Sequence, residues 1–421
     1  MSKRISNKRV LLLILAAALL SVFTGVVMAK RSPFQNETYE NLKVFTEVLS
    51  YIEANYVEEV DPNKLVYGAI RGMLRTLDPH SSFMPPEVYR EMQIETEGRF
   101  GGLGIEITVR DDLLTVVSPI EGTPAFRAGI QPGDQIVKVD GESTKDMSLI
   151  DAVKKLRGPE GTSVTITILR KDFAEPKDFT LARAVIQIKS VRWKKLPDDI
   201  GYIKLRSFQK TTSDELADAL QDLEEQNVRA LVLDLRNNPG GLLEQAVAVS
   251  DEFLEAGKLI VYTKGRLAGQ NMKGFSKNDR AHLSHPMAIL INEGSASASE
   301  IVAGALQDLG RATIIGMQSF GKGSVQTIIP LSDGSGLRLT TAKYFTPKGR
   351  EIQGKGITPD VIVEENKASQ AEDEQGKQTP PRNRRQIALP GDDLSDDPQL
   401  QQAVDFLKAQ VKQGGKSVKA G

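Results

Sequence analysis

The chain has 421 residues, of which 54 are Lys or Arg and 55 are Asp or Glu, giving a formal net charge of −1 at pH 7. This balance gives no indication of a nucleic-acid partner. Cysteine is absent, which excludes a disulfide framework, a cysteine nucleophile and a cysteine-based zinc site. The length is sufficient for two or three domains with sizeable cores.

The amino terminus combines a basic start with a long apolar run. Basic side chains at positions 3, 4, 8 and 9 precede an apolar stretch over residues 10–29. This combination is typical of a secretory signal, and the stretch is also long enough to span a bilayer. Residues 1–29 are therefore predicted to direct export, either as a cleaved signal peptide or as a retained amino-terminal anchor.

Residues 36–95 are predicted to be helical. One apolar stripe at helical spacing includes Leu42 and Phe45, and a second includes Leu65 and Ile70. Stripes of this kind belong either to a core or to an interface with a partner.

The segment 97–172 has the pattern of a compact β-rich domain. Its predicted strands cover residues 105–109, 114–117, 135–139 and 164–169, and its predicted helices cover 124–130 and 148–156.

A glycine-containing turn, Gly102-Leu103-Gly104-Ile105, lies at the start of the first of these strands. Glycines let backbone N–H groups converge on a peptide carboxylate, and the edge of the next strand can pair with the same peptide. Arg157 follows the second helix. It is either a solvated arginine before a turn or a residue that faces the next domain.

Residues 180–365 alternate between apolar strands and amphipathic helices, which predicts an α/β sheet covered on both faces. The turn 237–241, Asn-Asn-Pro-Gly-Gly, follows a predicted strand over 230–235. Sheets of this type place ligands at the carboxyl ends of their strands.

The remainder of the chain changes composition. Residues 366–397 are polar and charged and are predicted to be largely disordered. A short helix is predicted over residues 398–410. It packs either on the body of the protein or on another subunit.

The clearest chemical signal runs from an apolar strand over 287–291 through a Ser/Ala-rich turn into a helix. Ser297 and Glu300 have the spacing of a capping box, which predicts that the helix begins at Ser297. A hydroxyl there lies beside unpaired helix N–H groups, where a serine nucleophile and its oxyanion donors can meet. On this stretch alone, Ser297 is either a nucleophile or a helix cap.

A second signal lies downstream. Lys322 stands between two glycines at the start of a predicted strand over 324–331. A lysine can act as a general base when burial lowers its pKa. Gln326 would share a strand face with Lys322 and could hold the amine by a hydrogen bond. Taken singly, Gly-Lys-Gly is equally typical of a solvated turn.

The histidines have a weaker claim to chemistry. His282 and His285 form an HxxH pair, but they lie in a polar segment that ends at Pro286. His80 lies in a turn. All three are predicted to have neither a metal-binding nor a catalytic role.

Three motifs follow one another along the chain: Asp234-Leu-Arg-Asn-Asn-Pro-Gly-Gly241, Gly294-Ser-Ala-Ser-Ala-Ser-Glu300 and Phe320-Gly-Lys-Gly-Ser-Val-Gln326. Together they resemble the carboxyl-terminal processing proteases, a serine peptidase family with a Ser-Lys catalytic pair. The resemblance extends over about residues 35–365, and within it residues 97–172 resemble a PDZ domain.

The resemblance implies that Ser297 is the nucleophile, Lys322 the general base and Gln326 the residue that orients the lysine. It requires no cofactor and no metal. Because Pro239 has no N–H, either Gly240 or Gly241 is expected to supply one oxyanion donor, with Ala298 as the other; these three complete the expected oxyanion hole.

The expected fold is multidomain α+β. It comprises a signal or anchor at 1–29, a helical region at 36–95, a PDZ domain at 97–172, a peptidase core of the crotonase and ClpP type at 180–365, and a linker with a terminal helix at 366–421. In the PDZ domain, the turn from Gly102 to Ile105 is the expected carboxylate-binding loop, and Arg157 is a candidate regulatory residue.

The expected function is that of an exported serine endopeptidase in a bacterial periplasm, acting on proteins presented by their C-terminal tails. The membrane is contacted only through the amino-terminal segment. Further expected partners are a second copy of the chain and an activating adaptor protein. The rival interpretation is a PDZ-bearing adaptor whose peptidase-like core only binds, and a weaker one is an acyl-CoA hydratase on the related core fold.

Overall fold

The computed structural model describes residues 33–110, 112–277, 285–365, 389–390, 394 and 396–417. The predicted export segment 1–29, His282 and nearly all of the predicted linker 366–397 lie outside these ranges. The chain divides into two compact units, Met1–Pro79 and His80–Gly421.

The first unit contains two helices, α1 (Pro33–Asn55) and α2 (Pro62–Arg75). Asp61 caps α2, because its side chain accepts the N–H of Asn63, and Pro62 supplies the preset φ of a first helical residue. The apolar stripe of α1 is largely exposed, with Leu42 at 53% and Phe45 at 41%. Across the described residues, no helix has both the length and the apolar character needed to cross a membrane.

The second unit holds the remaining elements. Its helices are α3 (Pro86–Glu97), α4 (Pro124–Arg127), α5 (Leu149–Leu156), α6 (Thr212–Glu225), α7 (Leu243–Asp251), α8 (Ala298–Asp308) and α9 (Pro398–Ser417). Its strands are β1 (Ser82–Met84), β2 (Arg99–Gly102), β3 (Ile105–Arg110), β4 (Leu113–Pro119), β5 (Gln135–Val139), β6 (Glu142–Ser143), β7 (Ser163–Leu169), β8 (Lys177–Ala182), β9 (Ala184–Gln187), β10 (Val191–Leu196), β11 (Ile200–Leu205), β12 (Ala230–Asp234), β13 (Leu259–Gly265), β14 (Lys273–Phe275), β15 (Met287–Ile291), β16 (Thr313–Gly316), β17 (Ser324–Pro330), β18 (Gly336–Phe345) and β19 (Val361–Ile362).

The β-rich segment forms one sheet in the order β3-β4-β5-β7-β8, with β6 paired to β5. The predicted strands and helices of this segment are present, and β8 extends the sheet beyond the prediction, while β9 pairs with β2 in a separate two-stranded sheet. Ser148 caps α5 by accepting the N–H of Asp151, and α5 buries Ala152 and Leu156 in the core of this sheet. Strand β3 lies at the end of the order, so one of its edges is unpaired.

The candidate site lies on a second sheet, in the order β10-β11-β12-β15-β16-β19. All neighbours pair in parallel except β10 and β11. Alternate residues of β12 point to opposite faces: Leu231 and Leu233 pack with α6, α7 and α8, whereas Val232 packs with α9. The prediction of an α/β sheet covered on both faces is therefore confirmed.

A third sheet, in the order β1-β18-β13-β14 with β17 paired to β18, lies beside the α/β sheet. The glycines flanking Lys322 lead into β17. Antiparallel pairing aligns Ser324 with Lys343, so the start of β17 lies next to Tyr344 in β18. This sheet therefore supplies one half of the candidate site, and the α/β sheet supplies the other.

Candidate active site

Ser297 occupies a sharp turn between β15 and α8. It has φ +57° and ψ −113°, a backbone conformation that non-glycine residues rarely adopt. The helix begins at Ala298, so Ser297 is the N-cap residue that the sequence predicts. The turn aims a half-buried serine side chain into the cleft described below.

The three serines of this turn have different roles. Ser295 Oγ donates to the carbonyl of Leu235 at 2.9 Å, and Ser299 Oγ donates to the carbonyl of Asn238 at 2.9 Å. Both side chains are fully buried and hold the turn against the loop that follows β12. Ser297 alone of the three lines the cleft.

The loop that follows β12, Asn237 to Gly241, is called the oxyanion loop from here on. The carbonyl of Asn238 accepts the N–H of Ala296 at 3.0 Å, which fixes this loop beside the nucleophile turn. A Cβ on Gly240 would come within 2.7 Å of the Ala296 carbonyl oxygen and 2.8 Å of the Ser297 Cβ. Only glycine fits so close to the serine, and its φ of +97° also favours glycine.

The structure separates the two glycines that the sequence leaves as alternatives. The N–H of Gly240 donates to the Asn238 Oδ1 at 2.9 Å, so it is already engaged. Among the hydrogen bonds of the described residues, none uses the N–H of Gly241 or that of Ala298. Two backbone donors are thus available at the cleft beside Ser297, which is the arrangement an oxyanion requires.

Lys322 is half-buried and lines the same cleft as Ser297. Burial lowers the pKa of its amine, and the charge of Arg338 lowers it further, while Glu300 opposes the shift. The neutral amine that a base requires is therefore more accessible than in an ordinary lysine.

Gln326 lines the cleft with Lys322, although Lys322 precedes β17 and the two residues do not share a strand face as predicted. Its side-chain amide donates to the Ser324 Oγ at 2.8 Å. Within the described residues, no hydrogen bond joins the Lys322 amine to Ser297 or to Gln326. Lys322 and Gln326 therefore line the same cleft as Ser297, but the Lys322 amine forms no hydrogen bond with the Ser297 hydroxyl among the described residues.

Glu300 links the two halves in a way that the capping pattern only partly predicts. Its Oε2 accepts the N–H of Ser297 at 2.8 Å and the N–H of Lys322 at 2.9 Å. Its Oε1 accepts the hydroxyl of Ser319 and the N–H of Gly321, both at 2.6 Å. The side chain is fully buried, and burial raises its pKa while these four donors oppose the shift.

Tyr344 is a second contact between the halves, and the sequence gives no signal for it. Its hydroxyl donates to the backbone carbonyl of Lys322. Burial and then the charge of Glu300 raise the pKa of Tyr344 well above its ordinary value, while a hydrogen bond with Ser297 opposes the shift. A single phenol thus contacts both the proposed nucleophile and the loop of the proposed base.

The cleft has a volume of about 1230 Å³. Its lining includes apolar side chains from four elements or loops, namely Leu243, Met272, Ile301, Val325 and Ile328. This lining is suited to an extended peptide with apolar side chains.

The turn from Gly102 to Ile105 lies between β2 and the unpaired edge of β3. A Cβ on Gly104 would come within 2.4 Å of three atoms of Thr123, and its φ is +74°, so glycine is required there. Among the described hydrogen bonds, none uses the N–H of Leu103 or Gly104. Free N–H groups beside an open strand edge suit a peptide carboxylate.

Arg157 does not line the cleft. It forms a salt bridge with Glu91 of α3, and its guanidinium lies 4.4 Å from the centre of the Phe100 ring. Three other residues of α3 or its end, Met92, Glu95 and Thr96, line the cleft. Arg157 is therefore connected to the cleft through its salt bridge with α3, whose residues line the cleft.

The described histidines are not brought to the site. Neither His80 nor His285 lines the cleft. No group of three or more potential metal ligands is present in the part of the chain that the structure describes.

Comparison with known proteins identifies relatives over most of the chain. Residues 199–363 match the profile of peptidase family S41, residues 115–170 match a PDZ domain, and residues 23–88 match a profile described as the activating protease CtpB N-terminal domain. The S41 match includes the oxyanion loop, Ser297, Lys322 and Gln326.

Two relatives carry related names. A carboxy-terminal-processing protease of Bartonella bacilliformis is 44% identical over 405 residues, covering 92% of this chain and 93% of that protein. A carboxyl-terminal-processing protease of Synechocystis is 42% identical over 314 residues, covering 73% of each chain. A solved structure of a photosystem II D1 C-terminal processing protease is 32% identical, with a TM-score of 0.43, and covers 76% of this chain and 92% of that one.

Proposed function

The chain belongs to the carboxy-terminal processing proteases of peptidase family S41 and is a serine-type endopeptidase, and we propose that it cleaves proteins selected by their C-terminal tails with Ser297 and Lys322 as its catalytic pair. The family prediction is confirmed by the relatives, which favour the peptidase over the adaptor. The assignment of Ser297 is supported by the different hydrogen bonding of the three serines in this turn. Ser295 and Ser299 are consumed by structural hydrogen bonds, whereas Ser297 faces the cleft beside free N–H donors.

In the proposed mechanism, Ser297 Oγ attacks the scissile carbonyl carbon while the neutral Lys322 amine takes the hydroxyl proton. The carbonyl oxygen becomes an oxyanion held by the N–H groups of Gly241 and Ala298. The lysine then protonates the leaving amine as the C–N bond breaks. Water, deprotonated by the same lysine, attacks the acyl-enzyme and releases the carboxyl product and Ser297.

This chemistry requires Lys322 to approach Ser297 more closely than in the structure described. Gln326 would hold the amine in that arrangement through its side-chain oxygen, which is the acceptor end of the amide. The lowered pKa of Lys322 favours the unprotonated amine that both roles need.

The test of the residue assignment is cleavage of an unfolded protein by the wild type and by Ser297→Ala, with Ser295→Ala as the matched control. Ser297→Ala should show no cleavage above background, while Ser295→Ala should lose stability but retain a measurable rate per folded molecule. Processing by Ser297→Ala at the wild-type rate would overturn the assignment.

Substrate selection is proposed to lie in the PDZ domain. The N–H groups of Leu103 and Gly104 would bind the terminal carboxylate, and the peptide would add a strand along β3. Each charge-assisted hydrogen bond contributes about 1.5–3 kcal/mol, so amidating the terminus should weaken capture about tenfold or more. Equal cleavage of matched free-acid and amidated peptides would argue against carboxylate recognition.

Arg157 is proposed to transmit peptide binding through its salt bridge with Glu91, because α3 also lines the cleft. Arg157→Ala should lower turnover at saturating peptide, and Arg127→Ala, an exposed arginine of the same domain, should not. If Arg157→Ala changes neither kcat nor KM, the arginine has no regulatory role.

Export to the periplasm, an amino-terminal membrane attachment, a homo-oligomer and an activating adaptor complete the proposal. The named relatives are bacterial, and the match to the CtpB N-terminal domain is compatible with a partner at this end of the chain. The exposed apolar stripe of α1 would supply an interface between copies. Cell fractionation and light scattering test the first three proposals, and purification from the native cell tests the adaptor.

A further inference from the structure

Three charged side chains lie together beside the oxyanion loop, at or just after the ends of β11 and β12, and line the same cleft as Ser297. Lys204 Nζ donates to Asp234 Oδ1 at 2.9 Å and to the carbonyl of Arg236 at 2.8 Å. Arg236 Nη2 donates to Asp234 Oδ2 at 2.7 Å. Burial opposes ionisation of Asp234, but the charges of Arg236 and Lys204 outweigh it and hold its pKa well below the ordinary value. Among these three groups Asp234 is the one carboxylate beside two basic side chains, and burial lowers the pKa of Lys204 while the charge of Asp234 opposes that shift.

A second carboxylate, that of Asp397, reaches Arg236 from the C-terminal segment. Arg236 Nη1 and Nη2 donate to the two carboxylate oxygens of Asp397, each at 2.8 Å, and Nη1 also donates to Gln399 Oε1 at 3.1 Å. This two-pronged geometry fixes the orientation of the guanidinium as well as its charge. Residues 161 positions apart in sequence thus complete one partly buried network.

Asp397 is held in place by the helix that it begins. Its Oδ1 accepts the N–H of Leu400 at 3.0 Å, which caps α9. Helix α9 buries four apolar side chains against the α/β sheet, namely Leu400, Ala403, Val404 and Leu407. The carboxylate is therefore positioned by the packing of a whole helix rather than by a mobile surface pair.

Arg236 leads directly into the oxyanion loop. Its own N–H donates to Asp234 Oδ1 at 2.9 Å, and the next residue, Asn237, has a φ of +57° and donates its N–H to Asn292 at 2.8 Å. The chain from Arg236 to Gly241 is anchored at nearly every residue. Arg236 is thus the residue that joins the contacts of the C-terminal segment to the start of the oxyanion loop.

Building on the proposed function, we infer that Asp397 is a positioning residue for the oxyanion loop. Through its fork on Arg236 and the docked helix α9, it holds the loop where the Gly241 N–H meets the developing oxyanion. The C-terminal segment is thus part of the catalytic apparatus rather than a tail that follows it.

The test compares Asp397→Asn with Asp405→Asn, an exposed aspartate on the same helix that contacts only Gln401 among the hydrogen bonds of the described residues. Asparagine can still cap α9, so both variants are expected to fold. Displacing a catalytic donor slightly costs about 10- to 100-fold in rate. Asp397→Asn should lower kcat by about tenfold or more, while KM changes little, and Asp405→Asn should leave both unchanged.

A second readout reports on the oxyanion hole itself. A peptide aldehyde adds to Ser297 and places a tetrahedral oxygen in the hole, so its inhibition constant should worsen in Asp397→Asn in parallel with kcat. Asp397→Glu keeps the charge and should recover most of both losses. If kcat and aldehyde inhibition per folded molecule match those of Asp405→Asn, the inference is wrong.

The inference and the proposed function fail in different ways. If Ser297→Ala cleaves like the wild type, the nucleophile assignment fails. If Ser297→Ala is inactive and Asp397→Asn retains full kcat and full aldehyde inhibition, the nucleophile stands and only the role of Asp397 is lost.

Discussion

The two halves of the candidate site differ in how deeply their side chains are buried and in how completely they are hydrogen-bonded. On the half that carries Ser297, the side chains of Ser295, Ser299 and Asn238 are fully buried and bonded. Among the hydrogen bonds of the described residues, none uses the N–H of Gly241 or Ala298, and both residues line the cleft. On the base half, Lys322 and Gln326 are only half-buried, and Gln326 is bonded to Ser324 instead of to the lysine.

This difference indicates where activity can be controlled. In the proposed mechanism, a preformed oxyanion hole would give its stabilisation without rearrangement, whereas a base that must still move would make turnover depend on that movement. Anything that repositions the loop before β17, which carries Lys322, would therefore act on rate more than on substrate affinity.

The largest expected effect comes from removing the base. Lys322→Ala should lower kcat by about 10⁴-fold or more, and adding Ser297→Ala should make the enzyme little slower, because the pair acts as a unit. Lys355→Ala removes an exposed lysine and is the control. Independent, additive losses in the double variant would contradict a shared step.

Glu300→Gln tests the link between the halves. Glutamine places an NH₂ against N–H donors that now bond a carboxylate, so both Ser297 and Lys322 should shift. We expect about a 100-fold loss of kcat and a fall of about 1–3 kcal/mol in the free energy of unfolding. Kinetics and denaturant titration measure the two effects, with the exposed Glu293→Gln as the control. Wild-type kcat in folded Glu300→Gln would show that the link does not matter.

Tyr344→Phe removes one hydroxyl and keeps the buried ring. The loss of its hydrogen bond to the Lys322 carbonyl should lower kcat by about tenfold, the equivalent of one hydrogen bond. Tyr262→Phe, on a neighbouring strand of the same sheet, is the matched control. An unchanged or raised rate in Tyr344→Phe would exclude a supporting role for this hydroxyl.

The smallest expected effect is a shift of the pH profile. Activity should rise with pH as Lys322 loses its proton, and it should do so at a lower pH than for an ordinary lysine, because burial and Arg338 lower its pKa. Removing the positive charge in Arg338→Gln stabilises the ammonium form, raises that pKa and moves the rising limb to higher pH. Arg192→Gln, on the exposed edge strand β10, should leave the limb in place. A limb that does not move in Arg338→Gln would argue against Lys322 as the titrating base.

Local patterns were sufficient to propose the half of the site that carries Ser297. The strand before Ser297, the capping relation with Glu300 and the glycines of the oxyanion loop are features of neighbouring residues, which sequence spacing reports directly. The choice between Gly240 and Gly241 required a side chain, because Asn238 engages the first of them.

The remainder of the site depends on contacts between distant segments. Tyr344 and Arg338 reach Lys322 only because β18 pairs with β17, and Asp397 reaches Arg236 only because α9 docks on the sheet. The sequence predicted the helix but left its docking partner open, because its apolar residues fit a sheet of this chain and a surface of another equally well. Periodicity identifies which face of a helix is buried, not which surface covers that face.

Because α9 is the last element of the chain, its packing on the sheet must come late in folding during synthesis. Every strand of the α/β sheet leaves the ribosome before α9 does, so the face that includes Tyr202, Val232 and Leu290 has no cover while the chain is being made. Arg236 likewise cannot form its hydrogen bonds with Asp397 until Asp397 has been synthesised. Ser297 and Lys322 are thus synthesised long before the segment that packs on the sheet. The protein therefore cannot complete its fold until translation has passed residue 400.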